Sequence, residues 1–433
     1  MHLFRSECFV IGNKSATVIT ALLEHIDVCP TAHHVVDRAS SLLQGSGFKR
    51  VALDSGFTSE HLQHGFVSDG GTIIAWKNVQ SVSARGIRIV GAHTDSPGLH
   101  LKPNPDTRIL NWQQLQVEVY GGPLLNSWLD RDLAIAGHVV LRDGTTSLFS
   151  SHRPVARIPQ LAIHLDREVN EKGLILNRHQ HLSPIWATAT STETFEAWLA
   201  QQASVSTSQI ASWSAQLIDT QKAQIFGKDS EFVASSRIDN QISCWAAISA
   251  LLSADTDQPM MIALFDHEEV GSQSAQGAGG PMLEHVLERL SVSAGASRTD
   301  YLASLQKSHC VSVDNAHAVH PNYVDRHELN NAPSINEGVV IKTNVNQRYA
   351  TSPKSLVPIV HAAATAGVNL QAFSSRNNIA CGSTIGPITA TRIGVETVDI
   401  GVPQLSMHSI REMCGTKDPA DLVALLGAYL ARA

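Results

Sequence analysis

Residues 265–272 read FDHEEVGS, and the adjacent pair Glu268 and Glu269 stands directly behind the apolar run PMMIALF (259–265). A solvated turn could carry such a pair. Other acidic and histidine side chains stand in comparable places. His93 and Asp95 fall near the end of GIRIVGAHTDSPG (86–98), Asp239 lies in SSRIDNQ (235–241), Asp314 opens DNAHAVHPNY (314–323), and His408 lies in QLSMHSIRE (404–412). Alone, Asp239 reads as a helix cap and Asp314 as an Asx-turn residue. Together they form a set of imidazole and carboxylate donors without thiolate, which suits zinc, manganese or cobalt in a hydrolytic centre. Gathered carboxylates repel one another and lose water, and divalent cations relieve that. Five donors with one shared carboxylate can hold two ions and leave room for water and substrate. In His93-Thr94-Asp95 the carboxylate can hold the second N–H of a ligating imidazole. Adjacent glutamates cannot easily point the same way, so one can bind metal while its neighbour handles the proton of a water.

These residues need a frame that brings them together. Strand-like runs at 86–98 and 259–265, and at the starts of 309–321 and 397–414, alternate with helical patterns at 31–47, in 235–252 after a loop, at 355–367 and at 421–433. That alternation predicts an α/β fold, a mixed sheet sandwiched by helices. In open α/β sheets ligands sit beyond the carboxyl ends of the strands, where residues distant in sequence converge. Residues 404–414 read as a loop followed by a helix, with His408 at its start. The middle of the chain reads differently. QLQVEVYGG (114–122), 133–151 with its Asp143-Gly144 hairpin signal, and PQLAIHL (159–165) all look like short strands. The expected division is a catalytic unit of 1–100 and 231–433, interrupted by a β-rich insertion at 101–230. The long gap between His93 and Asp239 exceeds any ordinary connection and fits such an insertion.

The chain has 433 residues, 43% hydrophobic and 16% charged, with a net charge of −7. The acidic balance argues against nucleic-acid and anionic-membrane partners. No apolar run reaches transmembrane length, and the N-terminus lacks a long apolar region with a cleavage site. Cys8, Cys29, Cys244, Cys310, Cys381 and Cys414 stand singly. A disulfide framework and a cysteine zinc site are therefore not expected, and a cytoplasmic location is. There is no GxSxG elbow, no HExxH helix, no P-loop and no GxGxxG motif.

In GAHTDSPGLHLKP (91–103), SSRIDNQ, FDHEEVGS, DNAHAVHPNY, IKTNVNQRYA (341–350), CGSTIGPI (381–388) and QLSMHSIRE, the chain resembles the aspartyl aminopeptidases, cocatalytic zinc exopeptidases. The resemblance runs from about residue 20 to the C-terminus; the first 15 or so residues match nothing in it. It implies two divalent ions, held by His93, Asp239, Glu269, Asp314 and His408, with Asp239 bridging. It implies Glu268 as general base and Asp95 as the partner of His93. His317, Lys342 and Tyr349 would line the substrate pocket, and His164 would reach a neighbouring subunit's site. It further implies removal of N-terminal Asp or Glu from peptides, and self-association through the insertion into dimers and a dodecamer. Asn378, in SRNNIACGS (375–383), departs from the aspartate expected there and removes a charge.

Two other readings remain at this level. A dinuclear deacylase or carboxypeptidase could use the same framework, with a group such as Arg gripping a free carboxylate. A catalytically idle assembly protein could keep the shell, although it would have no chemical need for both glutamates.

Overall fold

Met260–Phe265 is buried at all six positions. It pairs in parallel with Arg88–His93, which pairs in parallel with His309–Val313, which pairs in parallel with Glu396–Gly401. Strands covered on both faces are apolar throughout, because neither face meets water. The structure, a computed structural model, describes residues 14–431. Most of the unmatched N-terminal stretch, with Cys8, lies outside the described residues. Around the parallel centre, the antiparallel strands His64–Asp69 and Thr72–Lys77 extend one side. Val339–Lys342 and Leu370–Phe373 extend the other, and the short Lys49–Arg50, paired in parallel to His64–Asp69, completes a nine-stranded mixed sheet.

Helices cover both faces, as expected. On one face Ala32–Gly45, Ile238–Ser253, Pro353–Ala366 and Asp418–Ala431 enclose a core that includes Val35, Ile242, Ile359 and Leu426. On the other, Met282–Ser293 and Ile385–Ile393 pack around Val286, Leu290 and Ile385. Each such side chain contributes about 1.5–3 kcal/mol on burial. Local signals set the helix ends. Ser352 accepts the Ser355 N–H, Pro353 occupies the first turn, and Gly367 closes the helix at φ +67°. Thr31 stands at the expected cap position without a capping bond; its hydroxyl instead meets His34 Nδ1 at 2.8 Å.

A second, antiparallel sheet of six strands lies between Gly98 and Asp219. Leu99, Leu115, Ile135, Phe195 and Trp198 form its separate core. Its hairpin at Asp143-Gly144 forms as expected, with Gly144 at φ +86°. A third sheet of five short strands includes Phe232–Ser235, Pro403–Leu405 and Glu412–Gly415.

Three local expectations are corrected. Residues 159–165 form no strand; they run as coil and turn, with Leu161, Ile163 and Leu165 exposed, because among the described residues no strand pairs with them beyond the bridges at Ala156 and Arg157. Residues 412–415 form a strand paired to 232–235 rather than a helix, and Ser406 and His408 take left-handed φ of 57° and 67° just before it, which a helix cannot propagate. The run expected at 86–98 is not one strand: Arg88–His93 ends at His93, and Gly98 opens the next strand. Among the described residues no helix is long and apolar enough to cross a membrane, and Cys29, Cys244, Cys310, Cys381 and Cys414 are free thiols.

Candidate metal centre

Three neighbouring strands of the large sheet deliver the first donors. His93 ends the strand Arg88–His93, Asp314 follows His309–Val313, and Glu268 and Glu269 occupy a short turn of helix beyond Met260–Phe265. Asp239 comes from the first turn of Ile238–Ser253, where the helix is irregular. His408 comes from the turn before Glu412–Gly415.

The donors converge. His93 Nε2 lies 3.3 Å from Asp239 Oδ1 and 3.9 Å from Asp314 Oδ1. His408 Nε2 lies 3.6 Å from Asp239 Oδ2 and 3.4 Å from Glu269 Oε2. Asp239 thus turns one oxygen to each histidine. His93, Asp239 and Glu269 each offer an atom within 4.8 Å of the others. Buried Asp239 Oδ1 and Glu269 Oε1 have no hydrogen-bond partner. Unpaired buried carboxylate oxygens are costly, and imidazole nitrogens beside them make up a donor set that fits zinc.

Charge in the cluster is finely opposed. Burial alone would lower His93, but Asp239, Asp314 and Asp95 outweigh it and hold the imidazole well above its usual range. His408 is likewise raised to about 10, against its own burial, by Asp239 and Glu269. Burial pushes the Glu269 carboxyl well up, with Asp239 adding to it. Burial also carries Glu268 up to about 7, with His93 opposing and Asp314 and Asp239 reinforcing.

Asp95 ties the turn together. Its Oδ1 accepts the Glu268 N–H and its Oδ2 the Glu269 N–H, both at 3.1 Å. It also lies 3.4 Å from His93 Nδ1. Two residues that sequence reasoning did not single out complete the surround. Tyr120 donates its hydroxyl to Asp95 Oδ2 at 2.7 Å, and Glu412 accepts the backbone N–H of Asp239 at 2.9 Å and of His408 at 2.7 Å. Each lies inside a motif already noted, VEVYGG and SIRE, but neither has a spacing that marks it.

The expected pocket residues occupy different settings. Lys342 is buried behind Asp314, 3.7 Å from its Oδ2, and donates to the Asn315 carbonyl at 3.1 Å. Tyr349 is buried beside it, with the Lys342 ammonium 5.2 Å from the ring centre. His317 is exposed, with its ring against Phe373. His164 is exposed in the turn after 159–162 and makes no hydrogen bond or ion pair with the cluster among the described residues. Asn378 sits in an exposed turn.

Fold and donor set define a class, a metal-dependent hydrolase built on a mixed α/β sheet. The family described as Aminopeptidase I zinc metalloprotease (M18) matches residues 25–430. A probable M18 family aminopeptidase 2 of Streptomyces coelicolor is 44% identical over 418 residues, spanning 94% of this chain and 96% of that protein. The fold superposes on a chain of the Ape4 and Nbr1 complex solved by cryo-EM with a TM-score of 0.92, at 34% identity, covering 97% of this chain and 87% of that one. The mApe1 dodecamer of S. cerevisiae matches with a TM-score of 0.82 at 26% identity, covering 95% of this chain and 96% of that one. The chain belongs to the peptidase M18 family of zinc aminopeptidases.

Proposed function

We propose that this aminopeptidase removes N-terminal Asp or Glu from peptides, using two divalent ions, zinc first and manganese or cobalt as alternatives. His93 and Asp314 would hold one ion, Glu269 and His408 the other, and Asp239 both. The observation that carries this reading is the two-sided placement of Asp239, one carboxylate oxygen toward each histidine. The ions, when bound, supply Lewis acidity toward the scissile carbonyl and toward water.

The remaining work belongs to the protein. Glu268, brought near neutrality by burial, takes a proton from the attacking water and passes it to the leaving amine. Asp95 holds the backbone of both glutamates, so the proton carrier and its neighbouring ligand keep a constant offset. His317 and Lys342, with Tyr349, would favour an acidic side chain, the ammonium supplying positive charge to a partly dry pocket.

The β-rich region 101–230 would serve as a dimerisation domain between the catalytic segments 1–100 and 231–433. The exposed Leu161, Leu165 and Ile175 support an interface there. His164 lies within this stretch and would enter a neighbour's site. Higher assembly to a dodecamer follows the yeast relative. The compartment would be the cytoplasm. The deciding assay is turnover of Asp-, Glu-, Ala- and Leu-anilides, and of N-acyl-Asp, by metal-free protein given Zn²⁺, Mn²⁺ or Co²⁺. Preference for the acidic substrates is expected; turnover of N-acyl-Asp instead would favour a deacylase.

A further inference from the structure

The strand Trp112–Tyr120 belongs to the six-stranded sheet, yet the residues at and just beyond its end reach three residues of the metal centre, Asp95, Glu269 and His408. Tyr120 donates to Asp95 Oδ2 at 2.7 Å, and its ring stacks on His100 with centres 4.6 Å apart. Gly121 has φ +67°, and a Cβ placed on it would lie 3.1 Å from Glu269 Cβ and 3.2 Å from the Glu269 carbonyl oxygen. The Gly122 carbonyl lies 3.1 Å from His408 Nδ1, and the Leu124 N–H donates to the His408 carbonyl at 2.8 Å.

We infer that Tyr120–Leu124 is a positioning segment through which the six-stranded sheet sets the metal centre. The inference rests on the metal reading above. A carbonyl can only accept, so the Gly122 contact calls for an N–H at His408 Nδ1 and turns Nε2 toward Asp239 and Glu269. The Tyr120 hydroxyl gives Asp95 a further hydrogen bond on the carboxylate that already holds Glu268 and Glu269. Gly121 allows the chain to pass against Glu269, where any side chain would have to displace it and would be strained at positive φ. The sheet is therefore more than a surface for self-association: its displacement would be felt by Asp95, Glu269 and His408 together.

Tyr120→Phe keeps the ring and its stacking but removes the hydroxyl, and Gly121→Ala adds one methyl group against Glu269. Zinc affinity of the full-length protein is measured by chelator competition, beside kcat, KM and near-UV circular dichroism. Loss of an outer hydrogen bond to a metal site weakens binding about 10–100-fold, so a fall in that range is expected for Tyr120→Phe and a larger one for Gly121→Ala. Excess zinc should restore kcat, with KM little changed. Trp112→Phe, at the far end of the same strand, should bind zinc as the parent does. A folded Tyr120→Phe protein with parental zinc affinity overturns the inference, whether or not Gly121→Ala folds. A parent protein that takes up no zinc, or a His93→Ala protein that takes up as much, would overturn the metal reading instead.

Discussion

The Glu412 carboxylate accepts the backbone N–H of Asp239 across a separation of 173 residues, at 2.9 Å. Its other oxygen accepts the His408 N–H at 2.7 Å. One buried side chain thus ties the proposed shared ligand to the last ligand in the chain. Burial, with Asp239 adding to it, pushes the Glu412 carboxyl up to about 8. In Glu412→Ala the buried Asp239 N–H and the part-buried His408 N–H lose their acceptor, the buried one at a cost of about 1–3 kcal/mol. Urea unfolding should show a clear drop in midpoint, with weakened zinc retention. An unchanged midpoint would mean that water replaces the carboxylate without loss.

Glu268 and Glu269 should fail differently. Glu268→Gln keeps shape and loses the base, so metal content should hold while kcat falls roughly 10²–10⁴-fold. Glu269→Gln loses a charged donor facing His408, so one ion should bind more weakly and added zinc should recover part of the rate. Elemental analysis beside a rate-versus-zinc titration separates the two. Metal loss confined to Glu268→Gln would reverse the roles.

Lys342 tests acidic specificity. Its ammonium already faces Asp314 and the Asn315 carbonyl, so a substrate carboxylate would have to share it. Lys342→Ala should lower kcat/KM for Asp-peptides much more than for Ala-peptides. Equal losses would assign Lys342 to the support of Asp314 alone.

His164 tests action between subunits. Hybrid oligomers mixed from His164→Ala and Glu268→Gln chains should regain activity that neither parent has. Verified mixing without any regain would remove His164 from the site.

The buried histidines outside the ligand set offer a further measurement. Burial, the largest influence in each case, lowers His25, His33, His34, His100 and His309 to about 4 from an ordinary 6.5. At these five sites the unfolded chain binds more protons between about pH 6.5 and 4, so the rings oppose folding as pH drops through that window, while the raised carboxyls of Glu268 and Glu412 favour it. NMR titration of the folded, metal-free protein should find these five rings still neutral at about pH 5, where imidazoles of the unfolded chain are charged. Imidazole midpoints near 6.5 in the folded chain would show that these rings are hydrated there.

The strands and helices of the large sheet were legible because their patterns are local. Met260–Phe265 is apolar at every position, as a doubly covered strand must be, and Ser352-Pro353 with Gly367 bracket a helix by backbone preference alone. Residues 159–165 misled because alternation of Leu161, Ile163 and Leu165 describes a face, not the partner that would cover it. Residues 408–412 misled because a helix-like composition carries no sign of a left-handed His408 or of pairing with Ser235.

By itself the amino-acid sequence determined which side chains this protein offers for chemistry, and that they fall at strand and helix ends where an α/β sheet gathers ligands. Residue type and position along the chain are enough for that. Tertiary structure alone decided how they are held: Asp239 turned toward both histidines, Glu412 beneath Asp239 and His408, Tyr120 on Asp95. These contacts join segments far apart in the chain, and hydrogen bonds a few ångströms long depend on how whole sheets pack, which no local pattern encodes.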